Sequence, residues 1–129
     1  TEQREHWLLA GADMCLMPSQ YEPCGLTQMR AQRYGTIPVA RRVGGLADTI
    51  EDGLTGFLFS DYTAADFMAA AVRSLDQYTE RTGWRRMMRE AMTRDFGWER
   101  SVPKYLQLYK RVVAPARDMP PLPSGASTR

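Results

Sequence analysis

Apolar residues in this chain come in short runs cut by glycine and proline, and the runs switch between strand-like and helix-like periods. Glu2 to Ala10 reads as a short helix stopped by Gly11, with Trp7 and Leu8 facing a core. Residues 12–17, Ala-Asp-Met-Cys-Leu-Met, lie between Gly11 and Pro18 and predict a strand buried on both faces, as in a parallel sheet. A helix is expected from Leu26 to Tyr34, with Gly35 as its left-handed terminator. Ile37-Pro38-Val39-Ala40 is a second strand, and Pro38 stands near its start, where a strand tolerates proline. Gly44-Gly45 reads as a turn, Leu46 to Glu51 as a helical turn, and Gly56 to Phe59 as a third strand.

Three helices complete the pattern. Thr63 to Asp66 fits a capping box with Asp in the usual Glu place, and Phe67, Ala71, Leu75 and Tyr78 then form an apolar stripe. Gly83 is expected to break that helix, Trp84 to Phe96 to form the next, and Gly97 to end it. Trp84, Trp98, Met87, Met88 and Met92 read as packing residues, and Arg85, Arg86, Arg89, Arg94 and Arg100 as a solvated face. Ser101 to Val113 is the last helix, with Val102, Tyr105, Leu106, Tyr109 and Val113 along one face and Pro103 in its first turn.

The element order is that of an α/β domain with a parallel sheet. Only three strands are visible, fewer than an average sheet has, so the sheet is expected to be incomplete, its first strands lying upstream of Thr1. The start at Thr1, without a Met, fits a piece of something longer or a processed product. Residues 1–114 are assigned to the domain and 115–129, with four prolines, to a flexible tail.

Composition narrows the classes. Seventeen basic against fifteen acidic residues give a net charge of +2, too near neutral to argue for nucleic acid. No run approaches the ~18 apolar residues of a membrane helix. Cys15 and Cys24 lack the company of a metal site or disulfide scaffold, so a reducing compartment is the default and cytoplasmic location is expected. A single His, His6, leaves little room for His-based catalysis.

Ligands of parallel α/β sheets bind outside the carboxyl ends of the strands. There the chain places Glu22-Pro23-Cys24-Gly25-Leu26-Thr27, running directly into a helix. The amides of Gly25, Leu26 and Thr27 are first-turn donors suited to phosphate. A carboxylate beside a phosphate site is repulsive unless aimed elsewhere, and hydroxyls of the same ligand are the natural target of Glu22. Phosphate plus polyol describes a nucleotide-sugar or sugar phosphate. From local pattern alone, a helix cap at Glu22, plain turns at Gly25 and Gly44-Gly45, and a solvated Arg41-Arg42 pair remain open.

Pro18-Ser19-Gln20-Tyr21-Glu22-Pro23-Cys24-Gly25-Leu26-Thr27-Gln28, then Arg33-Tyr34-Gly35-Thr36-Ile37-Pro38-Val39, then Arg42-Val43-Gly44-Gly45-Leu46-Ala47-Asp48-Thr49, closely resembles bacterial glycogen synthases and plant starch synthases. The likeness continues through Gly53-Leu54-Thr55-Gly56-Phe57 to about Ala114. It implies a retaining glucosyltransferase with two Rossmann-like domains facing across a cleft (the GT-B architecture), moving glucose from ADP-glucose to the non-reducing end of an α-1,4-glucan without metal or other cofactor. In a plant such an enzyme would be plastidic. This chain matches the later part of the C-terminal, nucleotide-sugar-binding domain.

Carried over by that resemblance, Glu22 is the catalytic-site residue that binds the donor glucose hydroxyls. Cys24, Gly25 and Leu26 line the sugar and diphosphate pocket through backbone amides, and Thr27 adds a hydroxyl or amide. Gly44, Gly45 and Leu46 form a supporting loop. Related enzymes often carry a second Glu eight residues after the first; Arg30 stands there, so no Glu–Glu pair can be invoked. The family's diphosphate-neutralising Arg and Lys, and the N-terminal domain with its own His, lie outside the matched segment. The isolated chain is therefore expected to be inactive, and to partner the missing domain or itself through exposed surface. A truncated, non-catalytic sugar-nucleotide-binding homologue and a UDP-glucose-dependent relative are the alternatives.

Overall fold

Three short parallel strands lie side by side in chain order: β1 (Met14–Met17), β2 (Ile37–Arg41) and β3 (Phe57–Phe59). The computed structural model describes residues 1–113. Met14 pairs with Ile37 and Met17 with Ala40; Val39 pairs with Phe57 and Arg41 with Phe59. The helices are α1 (Glu2–Gly11), α2 (Thr27–Tyr34), α3 (Gly44–Thr49), α4 (Ala64–Thr79), α5 (Arg81–Thr93) and α6 (Trp98–Val113). The chain divides into two compact units, Thr1–Arg94 and a second beginning at Asp95. The tail predicted at 115–129 lies outside the described residues.

Strand alternation sorts the core of the first unit. Ile37, Val39, Phe57 and Phe59 pack with Ala70 of α4 and with Trp84, Met87 and Ala91 of α5. Ala40 and Leu58, on the opposite face, pack with Leu46 and Ile50. Both clusters use period-two spacing from the same strands, which is what fixes their register. β2 is central, with Ile37 to Ala40 buried and Arg41 half-buried at its end.

β1 departs from its expected double burial. It is an edge strand, half-buried, with Leu16 55% exposed. An apolar run reports affinity for a covered place, but the covering must come from another element, and the described residues supply none on the outer edge. Trp7 and Leu8 likewise point outward, while Leu9 is the buried residue of α1.

Helix ends follow capping chemistry more closely than breaker counting. α2 ends as predicted: Gly35 has φ 79°, its N–H reaches the Gln32 carbonyl, and the Thr36 N–H reaches that of Ala31. Thr63 caps α4 by accepting from the Asp66 N–H at 3.2 Å. The Asp66 carboxylate does not close the box; it is too short to reach back and instead accepts from the Ser60 and Asp61 N–H groups. Ala70 and Ser74, not Leu75, are the buried residues of α4. Gly83 does not break the chain. Glu80 caps α5 by accepting from Thr82 and Gly83, so Gly83 enters α5 in its first turn, where glycine costs little. α6 starts at Trp98, so Pro103 stands in its second turn and leaves the Glu99 carbonyl without its helical donor.

One ion pair fastens the loop before β3. Asp52 accepts from the Leu58 N–H at 2.7 Å and pairs with both terminal nitrogens of Arg73 at 3.1 Å. Partial burial pushes the Asp52 carboxyl up, but hydrogen bonds from Arg73 and Leu58 outweigh it and leave the group below its ordinary value. A depressed folded pKa contributes stability above the unfolded value of about 3.9, lost as pH falls through the folded value. Arg73 is half exposed, so the contribution is under about 1 kcal/mol. Urea unfolding should show wild type more stable than Asp52→Asn at pH 7, with the gap narrowing as pH falls below about 3.9; an unchanged gap would remove the pair from this role.

Candidate active site

Because the strands are parallel, their carboxyl ends deliver three loops to one side of the sheet: residues 18–26 after β1, 42–43 after β2 and 60–63 after β3. Arg41, at the end of β2, ties the outer two together. Its Nη1 donates to the Gln20 carbonyl at 2.8 Å, its Nε donates to the Ser60 carbonyl at 3.2 Å, and its guanidinium lies 5.2 Å from the Tyr62 ring centre. It is thus a built element of the site's frame, in place of the solvated residue its Arg-Arg context suggested. Arg42 is exposed.

The first two loops meet main chain to main chain. The Gly45 N–H donates to the Glu22 carbonyl at 3.2 Å. A Cβ on Gly44 would stand 1.8 Å from the Glu22 oxygen, and one on Gly45 would stand 1.6 Å from the Cys24 oxygen. Gly44-Gly45 is therefore no free turn. The pair opens α3 directly and forms the slot in which the Glu22–Cys24 segment lies. Leu46, next in α3, is buried under β2 rather than in the crevice wall.

Two residues to which the motif assigned no role, Gln28 and Thr49, complete the join. Gln28 is wholly buried, and its Nε2 lies 2.9 Å from the Gly25 carbonyl and 3.0 Å from Thr49 Oγ1. The Thr49 hydroxyl donates to the Gly45 carbonyl at 2.6 Å. Gln32, one turn further along α2, donates to the Thr49 carbonyl at 3.0 Å. The sequence signal was present: two Gln four residues apart on a helix flanked by core positions, a spacing that places both on one buried face.

The predicted binding atoms are left available. The N–H groups of Gly25, Leu26 and Thr27 donate to no acceptor among the described residues, and α2 has no side-chain cap. The Glu22 side chain is half-buried and in no ion pair among the described residues. The Thr27 hydroxyl is occupied, donating to Glu5 at 3.1 Å, so its amide is the free donor. Cys24 is exposed. Burial, then the nearby Glu5 charge, pushes the Cys15 thiol up, which keeps it protonated and unreactive.

Arg30 occupies the place of the absent second Glu and faces away from the loop. It pairs with Glu5 at 2.9 Å and Glu2 at 3.2 Å, holding α1 to α2. His6 contacts the Tyr34 hydroxyl at 3.0 Å, which places it in helix packing. An open hollow of about 240 Å³ lined by Pro18, Phe59, Tyr62 and Phe67 shares the carboxyl side of the sheet, but neither Glu22 nor the α2 amides line it. Among the described residues no three His, Cys, Asp or Glu side chains gather as metal ligands.

The three-stranded parallel sheet with this loop cluster at its carboxyl edge matches the GT-B glycosyltransferase fold. The chain belongs to the glycosyl transferases group 1 family, whose model matches residues 3–92. It is 49% identical over 112 residues to a glycogen synthase of Thermodesulfovibrio yellowstonii, covering 87% of this chain and 22% of that protein. It is 51% identical over 117 residues to a glycogen synthase of Anaeromyxobacter dehalogenans, covering 87% and 24%. The catalytic domain of starch synthase IV from Arabidopsis thaliana, solved bound to ADP and acarbose, superposes with a TM-score of 0.79 at 37% identity, covering 86% of this chain and 24% of that one. The chain thus spans about a quarter of the length of these relatives.

Proposed function

We propose that this chain forms part of the donor half of a glycogen or starch synthase active site and holds ADP-glucose for transfer of glucose, with retention, to an α-1,4-glucan. The observation that carries the reading is the set of amides at Gly25, Leu26 and Thr27, unbonded among the described residues, beside the Glu22 carboxylate, likewise unpaired among them, with Gly44 and Gly45 fixing their spacing. The amides and the positive end of α2 receive the diphosphate; Glu22 accepts from the glucose hydroxyls. As glucose leaves, negative charge grows on the diphosphate, and prealigned amides stabilise it without reorganising. Cys24 contributes main chain, and no covalent step through its thiol is needed.

The likeness to a starch synthase solved with ADP supports an adenine nucleotide over UDP. Full charge neutralisation and acceptor binding fall to the remainder of the enzyme, whose further strands would pair with the free edge of β1. The 129-residue chain should therefore bind ADP-glucose and leave glucan unextended. Titration followed by amide resonances should shift Gly25, Leu26 and Thr27 first, more strongly with ADP-glucose than with UDP-glucose. Silence at those three amides at saturating donor would remove the assignment, and robust glucan extension would remove the claim of inactivity.

A further inference from the structure

Resting on this donor-site reading, we propose that Gln28 is a positioning residue that aims the phosphate-binding amides while touching no ligand itself. Its Nε2 faces the carbonyls of Cys24 at 3.4 Å and Gly25 at 2.9 Å, and Thr49 Oγ1 at 3.0 Å. The orientation of the amide is set by its neighbours. Two of the three are carbonyls, which only accept, and the Thr49 hydrogen is already committed to Gly45. So the NH2 end, not the oxygen, must face the loop.

The geometric consequence follows from the planar trans peptide. In each unit the carbonyl and the N–H point in opposite directions. Holding the Cys24 carbonyl inward turns the Gly25 N–H outward. Holding the Gly25 carbonyl inward does the same for the Leu26 N–H. Gln28 thus sets the direction of two of the three candidate phosphate donors. Through Thr49 it also sets Gly45, whose own N–H holds the Glu22 carbonyl. One buried side chain thereby couples the diphosphate amides to the segment carrying the sugar-binding carboxylate.

Gln28 Oε1 is buried with no hydrogen-bond partner among the described residues. Gly25 is the accommodation: a Cβ there would stand 2.5 Å from Oε1.

Gln32 supplies the control. It is equally buried, also leaves Oε1 unpaired and also braces Thr49, but it touches none of the loop carbonyls. In the 129-residue chain, Gln28→Met should weaken ADP-glucose binding at least tenfold and displace the Gly25 and Leu26 amide resonances. Gln32→Met should lower the Tm comparably while keeping affinity within twofold and those resonances in place. Equal affinity loss in both variants, or wild-type affinity in Gln28→Met, overturns the proposal. If Gln28→Met does not fold, Thr49→Val, which keeps volume and removes the relay, is judged by the same two readouts. If the wild-type chain binds no ADP-glucose, the donor-site reading fails separately. The resonances then decide: displacement in Gln28→Met but not Gln32→Met supports the aiming role, and no displacement overturns it.

Discussion

Gly45→Ala should cost this chain about 3 kcal/mol of stability and abolish measurable donor binding. The added carbon would stand 1.6 Å from the Cys24 carbonyl oxygen, a backbone atom with no rotamer through which to retreat. Relief requires the two loops to separate. That breaks the bond from the Gly45 N–H to the Glu22 carbonyl and disturbs the one from Thr49 to the Gly45 carbonyl. Overpacking of this kind costs about 1–3 kcal/mol, and each lost hydrogen bond adds about 1 kcal/mol. Gly11→Ala is the contrast, since nothing lies within 4 Å of its Cβ position and a helical alanine is favoured over glycine. Urea unfolding and ADP-glucose titration of the two variants test the point. A Gly45→Ala protein of near-wild-type stability would mean the loops are not clamped as described.

Glu22→Ala should leave ADP affinity within about threefold of wild type and remove most of the extra affinity that glucose confers. A hydrogen bond to a charged acceptor is worth about 1.5–3 kcal/mol, or on the order of 10- to 100-fold in binding. The side chain is half-buried and in no ion pair among the described residues, so its removal does not break the frame. The informative quantity is the ratio of ADP-glucose to ADP affinity, because a general loss of order would lower both together. An unchanged ratio would take Glu22 out of sugar recognition.

Much of the fold is legible in the amino-acid sequence. The three strands, their parallel order and the end of α2 at Gly35 each rest on a local rule that nothing distant opposes. Where the reading failed, a non-local fact decided. β1 looks like a buried strand by sequence and is an edge by topology. Gly83 looks like a breaker, but Glu80 supplies a cap three residues earlier and draws it into α5. Gly44-Gly45 reads as a turn because the need for glycine comes from Glu22 and Cys24, some twenty residues away. The candidate site divides in the same way. Glu22 and the amides after it are visible as a motif, whereas Gln28, Thr49 and Arg41 act through contacts that only folding creates.

A recognition surface made of main-chain atoms behaves unusually under mutation. Shortening the side chains of Cys24, Leu26 or Thr27 leaves the peptide groups in place, so a conventional alanine scan would pass over the segment we propose for the diphosphate. The informative chemistry is replacement of a single peptide link by an ester, which deletes one donor and keeps shape. By the same logic, substitutions can accumulate at those positions with little effect on donor capture, while the neighbouring glycines tolerate almost none.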